Sequence, residues 1–142
     1  MHSLPARHLF VYGTLRRGCA NAEATWLAEV ALWIGTAQVA GRLYHVAGYP
    51  GLVPDARGLM VRGDLFRLPH GPAGETILAR LDAYEECAAD CPAPHEYARI
   101  ILPVQTQDGT VDAWTYVYRH STAGLDLVVG GDFLRDALPP PR

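Results

Sequence analysis

The chain has no apolar run approaching the roughly 20 residues that a helix needs to cross a bilayer. Its opening residues, Met1-His2-Ser3-Leu4-Pro5, carry no basic region leading into an apolar stretch, so neither a membrane span nor a secretory leader is expected. Cysteine is scarce. Three cysteines in 142 residues suit reduced thiols in a cytoplasmic protein better than a disulfide framework. Positive charge is not in excess either: a net charge of −3 gives no electrostatic reason to expect nucleic acid or an anionic membrane as partner. Biased sequence is confined to Pro139-Pro140-Pro141, and no internal repeat is present.

What is there is the composition of a soluble globular protein, 49% apolar and 19% charged. The length allows a buried core without disulfides or metal. One domain over residues 1–142 is expected, with 1–7 and 138–142 as flexible ends.

Leu9-Phe10-Val11 is a short apolar run stopped by a glycine turn, as in a buried strand. Ala22, Trp26, Leu27, Val30 and Trp33 fall near helical spacing and predict a helix over part of 22–33. Val39, Gly41, Leu43 and His45 alternate with Ala40, Arg42 and Tyr44, which predicts a strand. Residues 48–55 have the Pro and Gly chemistry of a loop. Strand-like sequence resumes over 58–68 and breaks at Gly71-Pro72-Ala73-Gly74. Ile77, Leu78, Leu81 and Tyr84 then mark an amphipathic helix over 75–86. Pro92 and Pro94 make 87–95 an irregular loop. Two strands over 96–106 and 110–119 flank Gln107-Asp108-Gly109, a strong hairpin signal. Gly130-Gly131 precede a short helix at 132–137. Strands outnumber helices and mostly follow one another directly, so the fold class is α+β.

Two segments carry chemistry. The first is Tyr12-Gly13-Thr14-Leu15, a turn whose backbone N–H groups would suit a small anion, with Arg16 and Arg17 behind it as expected solvated charges. The second is Leu81-Asp82-Ala83-Tyr84-Glu85-Glu86, which ends in adjacent carboxylates. Successive helical residues are turned by about 100°, so only one of Glu85 and Glu86 can face a pocket. The plain alternative for all these acids is a solvated helix face. Cys87, Cys91 and His95 are spaced four apart, yet a structural zinc site wants a fourth ligand and tighter cysteine pairs; a polar loop with incidental cysteines is the better account, and no metal is expected. His8, His45, His70 and His120 show no pairing that suggests ligation or a nucleophile and its base. Cys19 lies just past the turn, and nothing in the sequence marks it as activated.

Together with Gly41-Arg42-Leu43-Tyr44, Tyr49-Pro50-Gly51-Leu52, Gly63-Asp64-Leu65-Phe66 and Tyr116-Val117-Tyr118, these segments resemble the gamma-glutamylcyclotransferase-like (AIG2-like) family over residues 8–119. The resemblance implies a small mixed β-barrel flanked by a few helices. It implies an enzyme that cyclises a γ-glutamyl group to 5-oxoproline and releases an amine or amino acid, with no metal or organic cofactor. The family's catalytic glutamate follows the Asp of its Leu-Asp motif by three residues, which falls on Glu85; Glu86 stands where many relatives have glycine. Tyr12, Gly13, Thr14 and Leu15 would hold the α-carboxylate and amine end of the substrate, and Tyr118 would be a further contact. Tyr97 and Arg99 match a Tyr-x-Arg pattern, and Tyr116 shares a strand face with Tyr118; barrel packing and ligand contact are both open to these tyrosines. Tyr49-Pro50-Gly51 is a candidate for the pocket wall. Two readings from other classes stand beside the enzyme: a module that binds an anionic metabolite without turnover, and a subunit that docks a partner through an apolar surface. The leaving group and the oligomeric state are not specified by the sequence.

Overall fold

The computed structural model describes residues 7–46, 49–85 and 95–134. Its elements run β1 (His8–Val11), α1 (Ala22–Val30), β2 (Leu32–His45), β3 (Pro50–Pro54), β4 (Leu59–Arg67), α2 (Pro72–Tyr84), β5 (Tyr97–Thr106), β6 (Gly109–Tyr118) and β7 (Asp126–Leu127). Strands β2, β4, β1, β6 and β5 lie side by side in that order, and β5 returns to β2 through the pairing of Gln38 with Gln105. This closes a five-stranded barrel. Only β1 and β6 run parallel; the other pairings are antiparallel, so the barrel is mixed. Strands β3 and β7 extend the sheet from β2.

Strand β1 is apolar from Leu9 to Val11 because both of its faces are buried there. Phe10 joins Val39, Leu43, Val61, Leu65, Val104 and Val117 in one core cluster. Leu9 and Val11 point the other way, into a second cluster with Leu27 of α1, Ile77 and Leu81 of α2, and Phe66. The helices are held on the barrel by this second layer. Leu81 is fully buried, and its burial contributes about 1.5–3 kcal/mol toward fixing the end of α2.

Several expectations need correction. Residues 50–54, read as loop, form β3; its prolines sit at the first and last positions of a strand paired only with β2, where a missing N–H disturbs little. Trp33 belongs to β2, not to the helix that ends at Val30. Helix α2 starts three residues early, at Pro72, which is tolerated in a first helical turn. The short β7 was not anticipated. Of the helix expected at 132–137, Phe133 and Leu134 are helical and residues 135–137 lie outside the described residues. Among the described residues no helix is long and apolar enough to cross a membrane.

Candidate active site

Beyond Val11 the chain turns over the end of the barrel. The Arg16 N–H donates to the Gly13 carbonyl at 3.1 Å, and Asn21 Nδ2 donates to the Thr14 carbonyl at 2.7 Å. Asn21 also caps α1 by accepting from the Ala24 N–H, so one side chain ties the turn to the helix. Glycine is required at position 13, because a Cβ there would lie 2.7 Å from Pro50 Cγ. The backbone N–H groups of Gly13, Thr14 and Leu15 make no hydrogen bond to the described residues. Three donors therefore remain available at one turn.

Arg16 is not the solvated charge that its position suggested. It is buried, with Nε 3.2 Å from Asp64 Oδ2 and Nη1 3.0 Å from Asp132 Oδ1. Asp64 accepts further bonds from the Arg17 N–H at 2.9 Å and Trp33 Nε1 at 3.3 Å. Desolvation is offset here by paired charges and satisfied lone pairs. The Arg17 side chain is exposed as expected, with its guanidinium 4.1 Å above the Trp33 ring.

The end of α2 supplies the acids. Asp82 is fully engaged: Arg99 grips it at 2.7 and 3.1 Å, and the Tyr116 hydroxyl donates to it at 2.6 Å. It fastens α2 to β5 and β6. Glu85 is the first residue past the helix, placed by its N–H bond to the Leu81 carbonyl at 2.8 Å. Its carboxylate makes no hydrogen bond or ion pair with the described residues.

Glu85 and the Tyr12–Leu15 turn border one cavity of about 340 Å³, together with Tyr49, Pro50, Tyr84, Glu96, Tyr97 and Tyr116. No Arg, Lys or His is among the described lining residues. Burial, and secondarily the charge of Glu96, push the Glu85 carboxyl up to about 7. Burial also raises Tyr12 and Tyr97, so both phenols stay protonated. Their protons are committed: Tyr12 donates to the Tyr116 carbonyl at 2.5 Å and accepts from the Leu52 N–H, and Tyr97 donates to the Pro50 carbonyl at 2.6 Å.

Of the residues singled out in the sequence, Tyr12, Gly13, Thr14, Leu15 and Glu85 thus meet at one cavity. Tyr49 and Pro50 line it as well. Tyr118 does not. Its ring packs edge-on against Tyr97 at 5.6 Å, in space that Gly51 leaves open, and Tyr116 borders the cavity instead. Glu96 was missed, because a single acid at a strand entry looks like any solvated charge. Cys19 is half-buried, and burial pushes its thiol up, which leaves it protonated. Glu86, Cys87 and Cys91 lie outside the described residues. Among the described residues no group of three His, Cys, Asp or Glu is arranged to hold a metal ion.

Comparison with known proteins shows the family and the fold. The family model described as gamma-glutamyl cyclotransferase, AIG2-like, matches residues 9–135. The chain belongs to this family. A gamma-L-glutamyl-butirosin B gamma-glutamyl cyclotransferase of Niallia circulans is 35% identical over 112 residues, which are 78% of this chain and 66% of the relative. The chain thus spans just under two thirds of that relative's length. Among solved structures, protein YtfP of Escherichia coli is 34% identical with a TM-score of 0.61, covering 91% of this chain and 98% of that one. A mouse AIG2-like protein is 25% identical with a TM-score of 0.62, covering 84% of each chain.

Proposed function

We propose that this AIG2-like cyclotransferase closes the glutamyl group of a γ-glutamyl compound to 5-oxoproline, with Glu85 as the proton acceptor. The observation that carries the reading is a partly buried carboxylate with no hydrogen-bond or ion-pair partner among the described residues, pushed up to about 7, on the same cavity as a turn whose three N–H groups make no bond to the described residues. The N–H groups of Gly13, Thr14 and Leu15 bind the substrate's α-carboxylate, as successive backbone donors bind anions. The α-ammonium gives a proton to Glu85, and the resulting amine attacks the side-chain amide carbon. A ring C–N bond forms, the original amide C–N bond breaks, and the proton held by Glu85 passes to the departing nitrogen. The second proton that the ring nitrogen carries after the attack then leaves it by the same carboxylate, and the departing amine takes it up as its ammonium form. No proton is gained or lost overall. Ring closure is unimolecular, so the protein's main tasks are to hold the glutamyl chain bent and to move that proton. A base titrating near the working pH is well matched to both halves of the transfer.

The walls favour this chemistry. Tyr12 and Tyr97 have spent their protons on backbone carbonyls, so they shape the cavity without competing as acids. Tyr118 serves by backing Tyr97. A module that only binds an anion has no use for an unpaired carboxylate beside the anchor, which would repel it. The butirosin relative's name specifies a γ-glutamyl group on an amine-bearing compound, so γ-glutamyl amines belong in the substrate panel beside γ-glutamyl amino acids and peptides. Incubation with such a panel, with 5-oxoproline followed by mass spectrometry, is expected to give product from at least one member. Its absence throughout would contradict the reading.

A further inference from the structure

The cavity contains a second carboxylate that proton transfer does not use. Glu96, at the entry to β5, lines it beside Glu85, and the Tyr49 hydroxyl donates to Glu96 Oε1 at 2.5 Å. No described arginine or histidine lies within ion-pair distance of either glutamate. Among the described residues, the other titratable groups facing them are phenols: Tyr12 beyond β1, Tyr49 before β3, Tyr84 of α2, Tyr97 of β5 and Tyr116 of β6. Asp82, reached through Tyr116, has its charge taken by Arg99. Among the described residues the site therefore brings two acids together with no cationic side chain beside them.

Two carboxylates in a partly desolvated cavity repel, and a ligand that brings one positive charge relieves both the repulsion and the burial cost. With the α-carboxylate held at the turn, the substrate's cation is its α-ammonium. Glu85 and the ammonium become neutral together when the proton moves, so the charge of Glu85 is spent in the reaction and not in holding the amine. Glu96 takes no part in that transfer, and the Tyr49 bond fixes its direction. Resting on the cyclotransferase reading, we infer that Glu96, aimed by Tyr49, receives the substrate's α-ammonium beside Glu85 and is the residue through which the site selects a free α-amine.

The test needs no turnover. Glu85→Gln protein, which should bind without reacting, is titrated calorimetrically at pH 7 with γ-glutamylalanine and with glutarylalanine, which lacks only the amine. The expected preference for the amine is about ten- to a hundredfold, the worth of a charge-assisted hydrogen bond. Adding Glu96→Gln should cut it to about threefold or less, adding Glu96→Asp should restore part of it, and adding Tyr49→Phe should give an intermediate value. In parallel, the Glu85 carboxyl is titrated by carbon-13 NMR without ligand; Glu96→Gln should move its midpoint down, as removal of a like charge requires. Should Glu96→Gln fail to fold, Tyr49→Phe and Glu96→Asp carry both measurements. An unchanged preference together with an unchanged Glu85 titration overturns the inference, as does failure of both ligands to bind. Failure to form 5-oxoproline while the amine preference persists would instead count against the cyclotransferase reading alone.

Discussion

Two groups of acids flank the turn that ends β1, and they are built on opposite principles. Under the turn, Asp64 accepts from Arg16, the Arg17 backbone and Trp33, and Asp132 takes the other side of the same guanidinium. At the cavity, Glu85 has no partner among the described residues and Glu96 has a single phenol. The first group is closed: one guanidinium is shared by its two carboxylates, and backbone and indole donors fill the rest of Asp64, so it holds the chain in place. The second is open among the described residues, and on the proposed reading its counter-charge arrives with the substrate. Asp82 and Glu85 repeat the contrast three residues apart on the end of α2, one clamped by Arg99 and the other left available. The acids gripped by arginine organise this barrel; the proposed reading puts the chemistry on the two that no described arginine reaches.

The contrast breaks most visibly at Glu85. Replacing it by glutamine should lower turnover on the order of 10²–10⁴-fold, as removal of a general base does, while Glu86→Gln keeps most activity. Steady-state rates of 5-oxoproline release for the two variants side by side check this, and the reverse ordering would move the base by one residue. Asp64→Ala should do the opposite kind of damage. It leaves Arg16 buried with only Asp132, and the expected loss is about 3–5 kcal/mol of stability in urea unfolding. A smaller effect distinguishes the two groups by pH. With its folded pKa raised from 4.5 to about 7, Glu85 is protonated in both states below pH 4.5 and costs nothing there. From pH 4.5 to 7 the unfolded chain ionises first, so wild-type stability falls relative to Glu85→Gln, by at most about 3 kcal/mol above pH 7. Melting both proteins at pH 4.5 and pH 8 should show the variant's advantage only at the higher value. Least affected should be Arg17→Ala, which gives up an exposed stacking contact on Trp33 worth less than about 1 kcal/mol and keeps the backbone bond to Asp64.

Many of the strands were legible because their signals are local, whereas their closure into a barrel was expected only from the family resemblance. The Asp108-Gly109 turn, the alternation from Val39 to His45 and the apolar run Leu9–Val11 each declare a strand within a few residues. Strand β3 was hidden by Pro50, Gly51 and Pro54, since its strand character comes from a partner and not from its own composition. Trp33 matched a helical period only because one position of a short pattern can coincide with either periodicity. At the site, the turn and Glu85 were legible through the motif that each belongs to. The burial of Arg16 was not, because Asp64 is 48 residues away and Asp132 is 116 residues away. Glu96 escaped for the same reason: its significance is its company in the cavity, which no spacing along the chain records.

The central claim is that an uncompensated carboxylate at Glu85 accepts the substrate's proton. The most direct test is the pH dependence of kcat/KM between pH 5 and 9, followed by 5-oxoproline release from the best γ-glutamyl substrate. The account predicts a rate that rises through an apparent pKa of about 7, set by desolvation of Glu85 and the charge of Glu96, and the loss of that limb in Glu85→Gln. A limb that persists unchanged in Glu85→Gln would contradict it.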